Sequence, residues 1–89
     1  MMEYHAAYYR DEESGWYTAK VLDFPGVLSQ GRTLQSAQRM IRGALRTMAE
    51  WLIEEGETLP RPKSRAMDRK AAFNETIPLR IRAQAGGGA

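Results

Sequence analysis

The sequence lacks several residue types on which whole classes of functional site depend. It contains no cysteine among its 89 residues, which excludes disulfide bonds and cysteine-ligated metals. His5 is the only histidine, so a histidine-paired nucleophile and a multi-histidine metal site are excluded as well. No apolar run approaches the ~20 residues that span a bilayer, and the N-terminus lacks the apolar core of a signal peptide. We therefore expect a soluble, cytoplasmic protein without a cofactor or a bound metal.

The net charge is small, but the charges are unevenly distributed. Residues 1–60 contain six Lys or Arg and nine Asp or Glu, whereas residues 61–89 contain seven and two. A mildly acidic body followed by a basic segment argues against a nucleic-acid-binding surface over the whole domain. The basic segment alone offers side chains for phosphates, and this is the alternative function that the composition leaves open. Its candidate contacts are Arg61, Lys63, Arg65, Arg80 and Arg82.

Three short segments near the N-terminus carry the alternating pattern of β-strands. In residues 3–10, a period of two puts Tyr4, Ala6 and Tyr8 on one face and the residues between them on the other, as in a strand. Residues 16–22 divide in the same way, with Tyr17, Ala19 and Val21 on one face, and residues 27–30 form a shorter third segment. The polar loop between the first two segments ends in Gly15, which tolerates positive φ. Because short loops join the three segments, we expect an antiparallel meander.

The run over residues 23–33 predicts two turns around a short strand. Pro25 fixes φ and Gly26 tolerates positive φ, which suits a type II turn with Pro second and Gly third. Gly31 interrupts the strand that follows. Thr33 is then placed to accept a hydrogen bond from the first free N–H groups of a helix.

Residues 33–55 carry the strongest secondary-structure pattern in the chain. Apolar residues recur at spacings of three and four, which places them on one face of a helix. They are Leu34, Ala37, Ile41, Ala44, Leu45, Met48 and Leu52. Gly56 is suited to end the helix, and the prolines at 60 and 62 prevent it from resuming. Gly43 costs about 1 kcal/mol relative to Ala inside a helix, so it is either a tolerated surface glycine or the mark of a close approach.

The rest of the chain predicts a connector, one more strand and a tail. Residues 57–74 are polar and basic, and residues 75–83 alternate again. Pro78 lacks a backbone donor, so this last strand belongs at a sheet edge. Residues 84–89 are rich in glycine, and we expect them to be disordered.

The predicted order of elements, β-β-β-α-β, indicates a two-layer α+β domain, an antiparallel sheet with one long helix packed on one face. We place a single domain at residues 1–83, with its core at residues 3–56. A chain this short buries only about 60–65% of its unfolded surface, so association into dimers or tetramers would stabilise it. Candidate contacts between copies are the apolar residues outside the helical stripe and those of the last strand. They are Met40, Trp51, Ile77, Leu79 and Ile81.

The sequence offers little for catalysis, and we assign no catalytic residue. His5 lies on a strand among small and aromatic residues, which favours a packed role over that of a general base. The acidic loop at residues 11–13 is either a solvated tip or a weak cation site, because hard cations prefer carboxylate oxygens. Asp23 lies beside a turn, where it is suited to accept hydrogen bonds from turn amides.

Several motifs, in this order and spacing, resemble the HicB-like antitoxin family over residues 3–62. They are Gly15-Trp16-Tyr17-Thr18-Ala19, Asp23-Phe24-Pro25-Gly26, Ser29-Gln30-Gly31-Arg32-Thr33, the Ala-rich helix, and the exit Leu59-Pro60-Arg61-Pro62. One departure is that Gln35 and Ser36 replace the acidic residues usual after the threonine, which predicts a weaker capping box.

The resemblance implies both a fold and a function. The fold would be a partial ribonuclease-H sheet without that enzyme's acidic catalytic set. The function would be to neutralise a HicA-type toxin, an mRNA interferase, as a non-catalytic homo-oligomer. Occlusion of the toxin's basic RNA-binding face by an acidic surface is the simplest mechanism. The candidate toxin-binding residues are Asp11, Glu12, Glu13 and Asp23.

The resemblance also implies a C-terminal DNA-binding domain in many relatives. Residues 83–89 are too few to form one, so we expect no operator binding from them. Residues 76–82 are either the fourth strand of the core or the remnant of a DNA-binding strand.

Overall fold

A computed structural model describes residues 2–81 as one four-stranded antiparallel sheet with a single long helix. The elements, in chain order, are β1 (Glu3–Arg10), β2 (Tyr17–Val21), β3 (Leu28–Gly31), α1 (Leu34–Glu54) and β4 (Phe73–Pro78). The strands lie in the order β3-β2-β1-β4, and every neighbouring pair is antiparallel. The predicted α+β class and element order are confirmed. Within residues 2–81, no helix is both long enough and apolar enough to cross a membrane.

Two tight turns connect the first three strands. In the first, Gly15 adopts a φ of +79°, and the Asp11 amide donates to the Trp16 carbonyl oxygen across 2.8 Å. In the second, Gly26 has a φ of +86°, and the Val27 amide lies 3.4 Å from the carbonyl oxygen of Phe24. A proline at the second position of a turn and a positive φ at the third are the geometry of a type II turn, as the sequence predicted.

Gly31 is required for a reason that the sequence did not indicate. It pairs with Tyr17 as the last residue of β3, and its φ is not positive. The first turn of α1 passes so close that an added Cβ would clash with Ser36 and lie 2.5 Å from the backbone nitrogen of Ala37. Gly31 therefore lets the helix begin directly against the sheet edge.

Both ends of α1 are capped by local hydrogen bonds. At the N-terminus, the Thr33 hydroxyl accepts from the Ser36 amide across 3.0 Å, and the Ser36 hydroxyl accepts from the Thr33 amide across 3.1 Å. Ser36 thus completes a capping box in place of the acidic residue that the family usually has. At the C-terminus, Gly56 has a φ of +77°, and the Gly56 and Glu57 amides donate to Ile53 and Leu52. This pairing is a Schellman motif.

One hydrophobic core lies between α1 and the inner face of the sheet. The helix packs against β2 and β3 and buries Ala37, Ile41 and Leu45 of the predicted stripe. Full burial of one such aliphatic side chain contributes about 1.5–3 kcal/mol. Ala49, which the predicted stripe omitted, is buried as well. The strands contribute Tyr4, Ala6, Tyr8, Ala19, Val21 and Ile77, and the turn between β2 and β3 contributes Phe24 and Val27.

The last strand lies nearer the N-terminus of the sequence than predicted. It covers Phe73–Pro78 rather than residues 75–83, because pairing with β1 begins at Phe73 opposite Tyr8 and ends at Pro78 opposite Glu3. Its edge position, predicted from Pro78, is confirmed. The predicted tail at residues 84–89 lies outside the described residues.

Residues 60–72, which we call the strap, cover the outer face of the sheet beside β1. The hydroxyl of Tyr4, at the start of β1, donates to the Pro60 carbonyl oxygen across 2.6 Å. At the other end of β1, the Ala72 amide donates to the Tyr8 carbonyl oxygen across 2.7 Å. Ala7, whose side chain lies on the outer face between these two points, is fully buried. The strap therefore runs along β1 and shields the outer face at Ala7.

Candidate protein-binding site

The loop between β1 and β2 forms an acidic tip, Asp11–Glu13, whose three side chains are exposed. Asp11 stabilises the turn, because its carboxylate accepts from the Ser14 amide across 2.8 Å. Hydrogen bonds from the backbone and side chain of Ser14 hold the pKa of Asp11 below its ordinary value. Glu12 and Glu13 belong to neither of the salt bridges within residues 2–81. The tip thus presents two carboxylates that are available to a partner.

Asp23, the fourth predicted toxin-binding residue, is not part of the acidic tip. It is only 6% exposed and accepts three hydrogen bonds, from the His5 amide (2.8 Å), the His5 Nδ1 (2.8 Å) and the Lys63 amide (3.1 Å). Burial opposes ionisation, but these hydrogen bonds outweigh it and hold the pKa of Asp23 below its ordinary value. Asp23 was grouped with the acidic tip in one candidate surface, but it is buried, and it fastens the start of the strap to β1. His5 is a packed partner of this carboxylate.

A second carboxylate fastens the far end of the strap. The Tyr9 hydroxyl donates to Asp68 Oδ2 across 2.5 Å. Burial and this hydrogen bond raise the pKa of Tyr9 to about 12, and the bond from Tyr9 in turn lowers the pKa of Asp68. Asp68 also exchanges backbone–side-chain hydrogen bonds with Asn74 of β4. At each end of the strap, therefore, a carboxylate accepts a hydrogen bond that joins the strap to the rest of the chain.

Glu75 lies on the inner face of β4 and links this edge strand to the helix. Its carboxylate accepts from the Tyr8 hydroxyl across 2.5 Å and from Gln38 Nε2 across 3.2 Å, and it lies 3.6 Å from the Arg42 guanidinium. Burial, together with the hydrogen bond to Glu75, raises the pKa of Tyr8 well above its ordinary value. Sequence reasoning missed this cluster. Its only signal was that Glu75 shares the inward-facing period of Ile77.

The apolar residues proposed as contacts between copies divide into two groups. Ile77 and Leu79 are buried in this chain's own core, so their side chains are not available at the surface. Met40 and Trp51 are each 54% exposed on one flank of α1, and Ile81 is partly exposed near the end of the described residues.

A groove of about 500 Å³ separates the exposed flank of α1 from the chain around β3. Met40, Gly43 and Thr47 line it from the helix, and residues 26–29 line it from the strand side. We call it the α1–β3 groove.

The basic residues of the alternative function lie mainly on the strap. Arg61, Lys63 and Arg65 are exposed there, while Arg80 is exposed beyond the end of β4. Arg82 lies outside the described residues. The structure therefore brings three of the five predicted cations onto one segment over the outer face. Across residues 2–81, no group of three or more carboxylate or histidine side chains is arranged to hold a metal ion.

Comparisons with known proteins place these features in a family. A family model described as the HicB-like antitoxin of bacterial toxin–antitoxin systems matches residues 4–82. No curated protein sequence matches the chain.

Solved structures of antitoxins are similar to this fold. The N-terminal domain of the Burkholderia pseudomallei antitoxin HicB is 31% identical, with a TM-score of 0.72, over 86% of this chain and 96% of that domain. The longer antitoxin from the same organism is 30% identical, with a TM-score of 0.73, over 88% of this chain. This chain spans 63% of its length. A chain of the HicA3 and HicB3 toxin–antitoxin complex is 25% identical, with a TM-score of 0.59, over 71% of this chain and 72% of that one.

Proposed function

We infer that this chain, which belongs to the HicB-like antitoxin family, neutralises a HicA-type toxin by binding it. The observation that carries this proposal is the family match over residues 4–82, which includes the helix and all but the first residue of the strands. The similarity to a chain of the HicA3 and HicB3 toxin–antitoxin complex supports the same partner class. In this proposal the chain acts by contact and catalyses no reaction.

The acidic tip is the surface that we propose for the toxin. The family resemblance implies a toxin with a basic RNA-binding face, and opposite charges across an interface guide encounter and register. Glu12 and Glu13 meet this requirement because they are exposed and outside the salt bridges within residues 2–81. Asp11 would act mainly by holding the tip in shape through Ser14.

Calorimetry of the full chain with a HicA-type toxin tests the proposal. We expect binding, and we expect the double variant Glu12→Lys/Glu13→Lys to weaken it by about tenfold or more through like-charge repulsion. A matched control is Glu55→Lys/Glu57→Lys, which makes the same charge change at exposed positions just after α1. Absence of binding by the unmodified chain would refute the function. Equal affinity of both double variants would refute only the assignment to the acidic tip.

The proposal extends to assembly and cellular location. We propose that the chain works in the cytoplasm, where a toxin that cleaves mRNA would act, and that it does so as a homo-oligomer. The exposed Met40 and Trp51 support self-association, because large apolar side chains that share one flank often mark an interface.

Nucleic-acid binding by the strap is the second candidate function. The observation that favours it is the exposure of Arg61, Lys63 and Arg65 on one segment. Binding by these residues would weaken steeply with salt, with a slope of about −0.9 per phosphate contacted on a log–log plot for duplex DNA. A gel-mobility titration with duplex DNA and RNA at low salt tests this candidate. The absence of any mobility shift would exclude nucleic-acid binding by the strap.

A further inference from the structure

A cavity of about 690 Å³ lies between the middle of the strap and the outer face of the sheet. Its lining comes from β1, from β4 and from the strap. The lining residues are His5, Thr76, Ser64, Arg65, Ala66 and Met67. The volume falls within the range of about 300–1,000 Å³ that is usual for small-molecule sites. The cavity shares no residue with the acidic tip or with the α1–β3 groove.

The strap is attached to the rest of the chain on either side of this cavity but not over it. On one side the Lys63 amide donates to Asp23, and on the other Asp68 accepts from Tyr9. Residues 64–67, between these anchors, take part in no hydrogen bond within the described part of the chain. Their polar groups are therefore available to a ligand in the cavity.

His5 is held so that one ring nitrogen remains for a ligand. Its Nδ1 lies 2.8 Å from Oδ2 of Asp23. Although burial opposes ionisation, hydrogen bonds hold the pKa of Asp23 below its ordinary value, so this carboxylate is ionised at neutral pH. An ionised carboxylate only accepts hydrogen bonds, so Nδ1 carries the ring proton and Nε2 is an acceptor. Nε2 has no partner among the described residues, and the imidazole, 13% exposed, lines the cavity.

Hydrogen-bond donors surround the same cavity. Thr76 pairs directly with His5 across β4 and β1, which places the two side chains on one face with their Cβ atoms about 4.5–5.5 Å apart. The hydroxyls of Thr76 and Ser64 and the guanidinium of Arg65 supply donors. No acidic side chain is among the lining residues. The lining thus suits an anion that accepts several hydrogen bonds and donates one.

A phosphate monoester matches this set of groups. Its oxygens accept from a guanidinium and from hydroxyls, and charge-assisted hydrogen bonds of this kind are stronger than neutral ones. Its second pKa is about 6, so part of it carries a proton for Nε2 near neutral pH. A sulfate ion and a phosphodiester have no such proton. Ala66 and Met67 supply an apolar wall, and methionine makes favourable contacts with aromatic rings.

We propose that the cavity beneath the strap binds a small phosphate monoester. Arg65 and Ser64 hold the phosphate from the strap, Thr76 holds it from β4, and Nε2 of His5 accepts its proton. The ligand thereby ties the unattached middle of the strap to two strands. This site is separate from the acidic tip, so the inference does not depend on toxin binding.

An NMR titration of the full chain with adenosine 5′-monophosphate tests the proposal. We expect saturable shifts of the amides of residues 64–67 and of Thr76. The Nε2 signal of His5 should shift as well, because this nitrogen gains a hydrogen-bond donor. Adenosine, sulfate and the phosphodiester adenylyl-adenosine each lack part of the recognised group, and we expect them to bind about tenfold more weakly or less.

Inorganic phosphate distinguishes the possible sources of the group. Both probes share the phosphate, so we expect both to bind. Tighter binding of adenosine 5′-monophosphate would support the site and assign it to an organic phosphate. Equal affinity would support the site and assign it to the free ion.

Two exposed residues provide variants that spare the core. Arg65→Glu reverses the charge in the cavity, and we expect it to weaken binding of adenosine 5′-monophosphate by about tenfold or more. Thr76→Val removes one hydroxyl, and we expect a loss of about threefold or more. The matched controls are Arg69→Glu on the strap and Thr18→Val on β2, which make the same changes at exposed positions outside the cavity. Both should keep the unmodified affinity.

Four results would overturn the proposal. The first is the absence of saturable shifts with adenosine 5′-monophosphate, and the second is an Nε2 signal of His5 that does not move. The third is equal affinity for adenylyl-adenosine, which would assign Arg65 to the nucleic-acid candidate described above. The fourth is an equal loss in Arg65→Glu and Arg69→Glu, which would show unspecific attraction to a basic segment.

Discussion

The two layers that cover the sheet are held in place by different forces. On the inner face, α1 packs with aliphatic side chains against β2 and β3. The strap, which covers the outer face, is fastened by hydrogen bonds at its two ends: Tyr4 donates to Pro60 and Asp23 accepts from Lys63 at one end, and Tyr9 donates to Asp68 at the other. Apolar packing is insensitive to pH, whereas these anchors depend on the ionisation of carboxyl and phenol groups. We therefore expect cavities in the core to destabilise the helix layer, and changes of pH to loosen the strap.

A cavity beneath the helix should give the largest loss of stability. Leu45 is fully buried between α1 and the sheet, and Leu→Ala changes in cores cost about 2–5 kcal/mol because they remove packing and leave a cavity. We expect Leu45→Ala to lower the free energy of unfolding by an amount in this range in a urea titration. The neighbouring exposed Arg46→Ala is the control, with an expected change within about 0.5 kcal/mol. Similar losses from both variants would contradict the assignment of this face to the core.

The junction between sheet and helix should be nearly as sensitive. At Gly31, a methyl group meets the backbone of Ala37, so we expect Gly31→Ala to destabilise the chain by about 1–3 kcal/mol through overpacking. Gly43→Ala adds the same methyl group where no atom lies within 4 Å, and in the monomer it should stabilise by about 1 kcal/mol. Thermal unfolding at low concentration compares the two. The same sign for both changes would contradict the difference in free space around the two glycines.

The same difference explains what could be predicted from the sequence. The helix could be predicted because its packing requires apolar residues at regular spacings, and because the caps at Thr33 and Gly56 depend on residues that are close in sequence. The strap depends on pairs such as Tyr9 with Asp68, which are distant in sequence and share no period. Asp23 was therefore grouped with the acidic tip, although it is buried and bonded to the strap. Sequence reasoning placed the acidic tip correctly in an exposed loop because a run of charged residues itself indicates solvent.

Acid should loosen the strap before it affects the helix. The pKa of Asp23 and that of Asp68 are lowered in the folded chain, so the stability they contribute is present above the unfolded pKa of about 3.9. It is lost as the pH falls through the lower folded values. Hydrogen exchange followed by NMR should show the Lys63 amide losing protection in this range while amides in the middle of α1 keep theirs. In Asp23→Asn this loss should already be present at neutral pH.

Parallel loss of protection at Lys63 and in α1 would contradict two independently held layers. It would mean that the strap and the helix open as one cooperative unit. The exposed Glu12→Gln serves as the control for carboxylate replacement, and we expect it to leave the exchange profile unchanged.

The smallest effect should come from the Tyr9 hydroxyl. Tyr9→Phe removes the hydrogen bond to Asp68 but keeps the ring, and loss of one such bond costs about 0.5–1.5 kcal/mol. The pKa of Tyr9 is raised to about 12, so its contribution is complete below the unfolded pKa of about 10 and disappears as the pH rises to the folded value. We therefore expect the difference between Tyr9→Phe and the unmodified chain to be measurable at neutral pH and to shrink above pH 10.

Tyr17→Phe provides the matched control for this last comparison. Tyr17 lies on the neighbouring strand, and its hydroxyl makes no hydrogen bond within residues 2–81. We expect its removal to change the free energy of unfolding by less than about 0.5 kcal/mol at any pH. If Tyr9→Phe behaved in the same way, the phenol would not anchor the strap. The backbone bond from Ala72 to β1 would then be the main attachment at that end, and alkaline pH would leave the strap in place.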